Sequence, residues 1–273
     1  MKKKYVVLLL VINLFLRGQP LWALPGISSA SALVMDGETG KVLYQKNAFE
    51  LRAPASTTKI LTAILGIECG ELNDLVTVSK NAASIGEASV NLRANDCLQL
   101  RELIYGALLK SGNDACVAIA EHISFSEEEF IGLMNLKAQV LGAYNTTFYN
   151  TNGLPHPKHL TTAYDLALIT RYALQNPVFS QIVQTKYYLM KWMEPQRTYS
   201  LKNTNKLLWS FPQATGVKTG TTFQAGQCLV ASVKQPNYEI IVVVLNSANR
   251  FGDAQKLLEY GISVKEIQLN ANG

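Results

Sequence analysis

Residues 53–60 read Ala-Pro-Ala-Ser-Thr-Thr-Lys-Ile, and the apolar run Ile60-Leu61-Thr62-Ala63-Ile64-Leu65 completes the stretch. The run reads as a helix. Pro54 suits its first turn, where a missing N–H is not missed. Ser56 then lies in the opening turn, near the positive end of the helix dipole. Ser56 and Lys59 stand three positions apart and share a helix face, so the amine reaches the hydroxyl. A serine hydroxyl becomes a competent nucleophile when a base takes its proton. A lysine serves as that base if burial or a neighbouring cation keeps it neutral. Alone, Ser-x-x-Lys is weak, because most occurrences are ordinary surface helix residues. Its weight depends on what stands elsewhere in the chain.

Upstream, the apolar runs 30–34 and 41–44 flank Asp36-Gly37-Glu38-Thr39-Gly40, the pattern of a β-hairpin. Downstream, 74–79 reads as a short extended segment. Leu100, Leu103, Ile104, Ala107 and Leu108 share one helical face. Ser111-Gly112-Asn113 interrupts that helix, which resumes at 115–123, and Asp114 reads as its cap. Ser126 with Glu129, and Thr162 with Asp165, read as capping boxes for two more helices, the first ending near Gly142. The last part changes character. Gly216-Val217-Lys218-Thr219-Gly220-Thr221 leads into the β-branched runs 228–233 and 239–245, and an amphipathic helix closes at 253–261. The fold class is therefore α+β. Sheet parts fall at about 26–52 and 176–265, and a helical part at about 53–175. A cleft is expected between them.

Residues 1–23 read as a secretory signal peptide: Lys2, Lys3 and Lys4, an apolar stretch to Leu16, and a Leu-Trp-Ala cleavage site at 21–23. The apolar run is short for a membrane span. Export is expected, with the membrane touched only through an uncleaved leader, if at all. The leader holds four of the 25 basic residues and none of the 20 acidic ones, so the remainder is nearly neutral. Nothing in that balance recommends nucleic acid as a partner. The four cysteines have irregular spacings and are expected to be mostly buried thiols, with pairing left open. His156 and His159 lack a third ligand at zinc spacing and read as a solvated loop; Glu121-His122 reads as a surface pair. No metal or cofactor is expected.

Three elements now stand in order: Ser56-Thr57-Thr58-Lys59, Ser111-Gly112-Asn113 and Lys218-Thr219-Gly220. Such a set belongs to class A β-lactamases and penicillin-binding proteins. From about residue 26 to 261 the chain resembles the D-alanyl-D-alanine carboxypeptidases among the low-molecular-mass penicillin-binding proteins. Leu109 to Ala115, Met134-Asn135, Thr146-Thr147-Phe148, Thr162 to Leu166 and Ala225-Gly226 extend the likeness. Ser-Gly-Asn in place of Ser-Asp-Asn favours this group over the β-lactamases.

The resemblance implies a serine β-lactamase/transpeptidase-like fold, with the site between an antiparallel sheet and an all-helical subdomain. Residues 24–273 would form the catalytic domain, without the C-terminal β-rich domain that many members carry. It implies Ser56 as nucleophile toward the penultimate D-Ala carbonyl, Lys59 as base and Ser111 as proton donor to the leaving amine. Asn113, Lys218, Thr219, Gly220, Thr221 and Arg250 would bind substrate. The partners implied are a peptidoglycan stem peptide ending in D-Ala-D-Ala and β-lactam inhibitors. Two other functions compete: a β-lactamase, and a non-catalytic peptidoglycan-binding module. The β-lactamase reading is disfavoured because 131–193 contains no Glu and one acid, Asp165.

Overall fold

The computed structural model describes residues 25–272, so the leader lies outside the described residues. β1 (Ser31–Asp36) and β2 (Val42–Lys46) form the antiparallel hairpin. Asp36 Oδ1 accepts the Glu38 and Thr39 N–H groups at 3.0 and 3.1 Å and so shapes the turn. A 3₁₀ turn at Ala55–Thr58 then runs into α1 (Lys59–Cys69), of which every residue from Lys59 to Gly66 is buried. β3 (Leu75–Thr77), α2 (Lys80–Ser84) and β4 (Cys97–Gln99) follow, with β3 and β4 paired antiparallel. The helical layer continues with α3 (Leu100–Tyr105), α4 (Asn113–Ser124), α5 (Glu127–Val140) and α6 (Ala163–Leu174).

Both capping boxes hold at the hydroxyl end: Ser126 Oγ accepts the Glu129 N–H and Thr162 Oγ1 the Asp165 N–H. The Asp165 carboxylate turns elsewhere, to the Asn145 N–H and the Thr146 hydroxyl.

The 176–213 segment contains more than the sequence reading resolved. α7 (Pro177–Gln184) starts on an Asn176 cap with Pro177 in its first turn. β5 (Tyr187–Trp192) and β6 (Arg197–Lys202) form a separate two-stranded ribbon, followed by the single turn α8 (Leu207–Ser210).

β7 (Ala214–Thr222), β8 (Gly226–Gln235) and β9 (Tyr238–Ser247) complete the main sheet, and α9 (Arg250–Asn272) closes the chain. The five strands lie in the order β2-β1-β9-β8-β7, all antiparallel. Val34, Leu229, Ala231, Ile240, Val242 and Val244 face Ala254, Leu257 and Leu258 of α9. Their neighbours in sequence, Leu33, Met35, Val230, Ile241, Val243 and Leu245, join the larger core under the helices. Side chains alternate across a strand, so a sheet covered on both faces needs unbroken apolar runs, as at 240–245. β7 ends this sheet, and the Ala55–Thr58 turn packs against it at Gly220. No helix among the described residues is long and apolar enough to cross a membrane.

Candidate active site

The turn before α1 is built around one peptide unit. Ala55 takes a left-handed φ of 49°, and the Thr57 and Thr58 hydroxyls donate to Pro54 O and Ala55 O at 2.7 and 2.9 Å. Ser56 is half-buried. The fully buried Lys59 reaches it as the helix spacing required. Its Nζ lies 2.9 Å from Ser56 Oγ, 2.8 Å from Asn113 Oδ1 and 2.5 Å from Asn152 O. Burial pulls the Lys59 amine down to about 8. Burial, and then the charge of Lys59, holds the Lys218 amine well below the lysine range. A neutral amine has two N–H groups and one lone pair. The two carbonyls take the N–H groups, and the lone pair is left facing the Ser56 hydroxyl.

The second element comes from a defect in helix geometry. α3 widens into one π turn at Gly106–Lys110, a form often found at functional sites, and Ser111 then adopts a left-handed φ of 68°. This reversal starts α4 at Asn113. Ser111 thereby faces Lys218 and Asn113 faces Lys59. Lys218 Nζ donates to Ser111 Oγ at 3.1 Å and to Thr219 O at 3.0 Å. Asp114 does not cap α4, whose cap position is Gly112. Its carboxylate accepts the Ser89 hydroxyl and the Val90, Leu92 and Ala115 N–H groups, tying loop 89–92 to the site. The carboxylate thus serves a first-turn N–H of α4 and the loop together, from inside the helix rather than from its cap position.

β7 supplies the third element. A Cβ on Gly220 would stand 2.9 Å from Ser56 N and 3.0 Å from Ala55 Cβ. The glycine thus lets the strand lie against the serine turn. The Thr219 hydroxyl pairs with that of Thr204 at 2.8 Å. Arg250 donates to Gly220 O at 2.8 Å and to the exposed Thr221 hydroxyl at 2.6 Å. All nine predicted site residues therefore meet at one junction of β7, α1, α4 and the start of α9.

Sequence reasoning missed Asn152, Gly153, Thr204 and His159. Asn152 supplies a backbone carbonyl, which leaves no mark in residue type, although Asn152-Gly153 is itself a turn signal. Gly153 has a φ of 88°, and a Cβ there would overlap Ala55 O. His159 does not lie in a solvated loop. It is buried, and its ring edge meets Phe148. Nδ1 accepts the Tyr149 N–H at 3.2 Å, and Nε2 lies 2.9 Å from Thr58 Oγ1. Glu121 and His122 do not pair with each other; they bond Asn81 and Asp74. Cys116 and Cys228 are buried, Cys97 partly and Cys69 exposed, and all four are free thiols. Among the described residues no three His, Cys, Asp or Glu side chains gather at metal-binding distance.

A hydroxyl, two low-pKa amines and an amide side chain at one groove can perform acyl transfer. The known relatives agree with that chemistry. The D-alanyl-D-alanine carboxypeptidase family model matches residues 19–249. D-alanyl-D-alanine carboxypeptidase DacF of Bacillus subtilis is 39% identical over 245 residues, covering 86% of this chain and 62% of the relative. DacC of Escherichia coli is 37% identical over 255 residues, covering 87% and 62%. This chain thus spans under two thirds of either relative. The D-alanyl-D-alanine carboxypeptidase of Streptomyces sp. K15 is 34% identical, covering 88% and 89%. The crystal structure of the Streptomyces K15 DD-transpeptidase superposes with a TM-score of 0.84 at 33% identity, covering 88% of this chain and 99% of that one. With three motifs converging in that fold, the chain belongs to the D-alanyl-D-alanine carboxypeptidase family.

Proposed function

We propose that this protein is a serine-type D-Ala-D-Ala carboxypeptidase that removes the terminal D-Ala from peptidoglycan pentapeptide through an acyl-enzyme at Ser56. The observation that carries this reading is the Lys59 amine, buried and 2.9 Å from Ser56 Oγ with two carbonyls on its remaining sides. Neutral Lys59 takes the Ser56 proton as Oγ attacks the penultimate D-Ala carbonyl. The Ser56 and Thr221 N–H groups receive the oxyanion; one such donor is worth ~10²–10³ in rate. The proton taken by Lys59 is relayed through the Ser111 hydroxyl, held by Lys218, to the departing D-Ala nitrogen; this frees Lys59 to activate the water that then releases the shortened peptide. The substrate backbone lies along the outer edge of β7, as extended peptides add to open sheet edges. Its terminal carboxylate meets Arg250, Thr219 and Thr221. Asn113 holds Lys59 and the substrate amide. The substrate places the enzyme outside the cytoplasm, with residues 1–23 as the export signal.

β-Lactams would acylate the same hydroxyl. Among the described residues no carboxylate hydrogen-bonds Ser56, Lys59, Ser111 or Lys218, so a penicilloyl adduct should hydrolyse slowly, against the β-lactamase alternative. The test is release of D-Ala from diacetyl-Lys-D-Ala-D-Ala, with Ser56→Ala as control. Release by wild type alone supports the reading. No release, with no labelling by fluorescent penicillin, rejects it in favour of a binding module.

A further inference from the structure

We propose that His159 is a positioning residue for the nucleophile: through the Thr58 hydroxyl it fixes the Ala55–Ser56 peptide plane and hence the aim of the Ser56 N–H. The inference rests on the reading of Ser56 as the acylated residue. The Tyr149 N–H can only donate, so Nδ1, 3.2 Å away, accepts and carries no proton. The ring is neutral, since burial first, and then the charges of His156 and Lys59, pull it down to about 4. The single ring proton therefore sits on Nε2 and points at Thr58 Oγ1, 2.9 Å away. The Thr58 hydroxyl, having accepted that bond, spends its own proton on Ala55 O at 2.9 Å. Each hydrogen bond in such a chain polarises the next.

The end of the chain matters because of peptide planarity. Ala55 C=O and Ser56 N–H belong to one rigid unit and point in opposite directions. Holding the carbonyl oxygen on the Thr58 side aims the N–H the other way. The same unit is confined on two further sides: Gly153 and Gly220 pass so close that a Cβ on either would come within 2.9 Å of Ser56 N. Ala55 itself sits at a positive φ, which a non-glycine residue keeps only when its surroundings impose it. Glycines leave the room, and the His159–Thr58 chain sets the direction. His159 touches no reacting atom; it acts through Thr58.

The test uses the mature protein and the rate of Ser56 acylation by fluorescent penicillin, followed per folded molecule alongside Tm and the kcat and KM for D-Ala release. Thr58→Val removes the hydroxyl at constant shape. It and His159→Leu should each slow acylation about 10–100-fold and lower kcat with KM little changed. Thr58→Ser should restore most of the rate lost in Thr58→Val. The double variant should be no slower than the worse single one, because both act through one chain. Folded Thr58→Val or His159→Leu acylated within about twofold of wild type overturns the proposal, as do losses that multiply in the double variant. If His159→Leu does not fold, the Thr58→Val and Thr58→Ser pair decides. Unlabelled wild type would instead sink the nucleophile reading, a result distinct from equal labelling of wild type and Thr58→Val.

Discussion

Replacing Gly153 by alanine should disable the site from a position that carries no functional group. The residue has a φ of 88°, and an added Cβ would stand 1.9 Å from Ala55 O and 2.3 Å from Ala55 C. An ordinary carbon–oxygen contact begins near 3.4 Å, so about 1.5 Å of separation must be found. Both clashing atoms are backbone, and no rotamer change relieves them. Either the 150–153 loop withdraws, carrying the Asn152 carbonyl from Lys59, or the Ala55–Ser56 unit turns. A displacement of ~1 Å in a reacting group costs on the order of 10²-fold in rate. The left-handed backbone adds ~1–2 kcal/mol of strain. Acylation by fluorescent penicillin should fall at least ~100-fold, and Tm by ~2–8 °C in a domain of this size. Gly132→Ala is the control. Gly132 lies exposed within α5 with nothing within 4 Å of a new Cβ, so acylation should hold and Tm rise slightly. A Gly153→Ala protein with the wild-type acylation rate and Tm would refute the reasoning.

Other substitutions separate the parts. Arg250→Gln keeps a donor near Thr221 but loses the charge offered to the substrate carboxylate, so KM for the peptide should rise ~10-fold or more with Tm unchanged; a fall in kcat alone would argue against a carboxylate role. Asp114→Ala strands the Val90 and Leu92 N–H groups and should cost ~2–4 kcal/mol by chemical denaturation. A cost below ~1 kcal/mol would mean that the 89–92 loop finds its partners elsewhere. The penicilloyl adduct should persist for many minutes by intact mass, whereas turnover within seconds would favour the β-lactamase reading.

What could be read in the sequence followed how strongly each feature is encoded locally. The α1 helix, its Ser56–Lys59 spacing and the capping hydroxyls of Ser126 and Thr162 are all short-range, and the structure has them. The β-branched runs at 228–233 and 239–245 implied a sheet, and the unbroken apolar stretch 240–245 is explained by α9 on one face and the helical layer on the other. The failures were groups whose partners lie far away in the chain. Asp114 looks like a cap until loop 89–92 arrives with its N–H groups. His159 looks solvated until Thr58, 101 positions earlier, covers it. Asn152 acts through a backbone carbonyl, and no residue type announces that. Helix α7 lies in the 176–265 part expected to be sheet, although Asn176-Pro177, a cap followed by a first-turn proline, is a local helix signal.

Acylation through Lys59 requires the amine to lose its proton near neutrality, and the direct measurement is the second-order rate of Ser56 acylation between pH 6 and pH 9.5. With the amine at about 8, roughly 1% is neutral at pH 6 and half at pH 8. A depressed lysine is protonated below its pKa, so activity is lost as pH falls. The rate should climb about 50-fold between those two values and level off above about pH 9. A flat profile, or a rate still rising about tenfold per pH unit at pH 9.5 as the ordinary lysine value of 10.5 requires, would contradict Lys59 as the base.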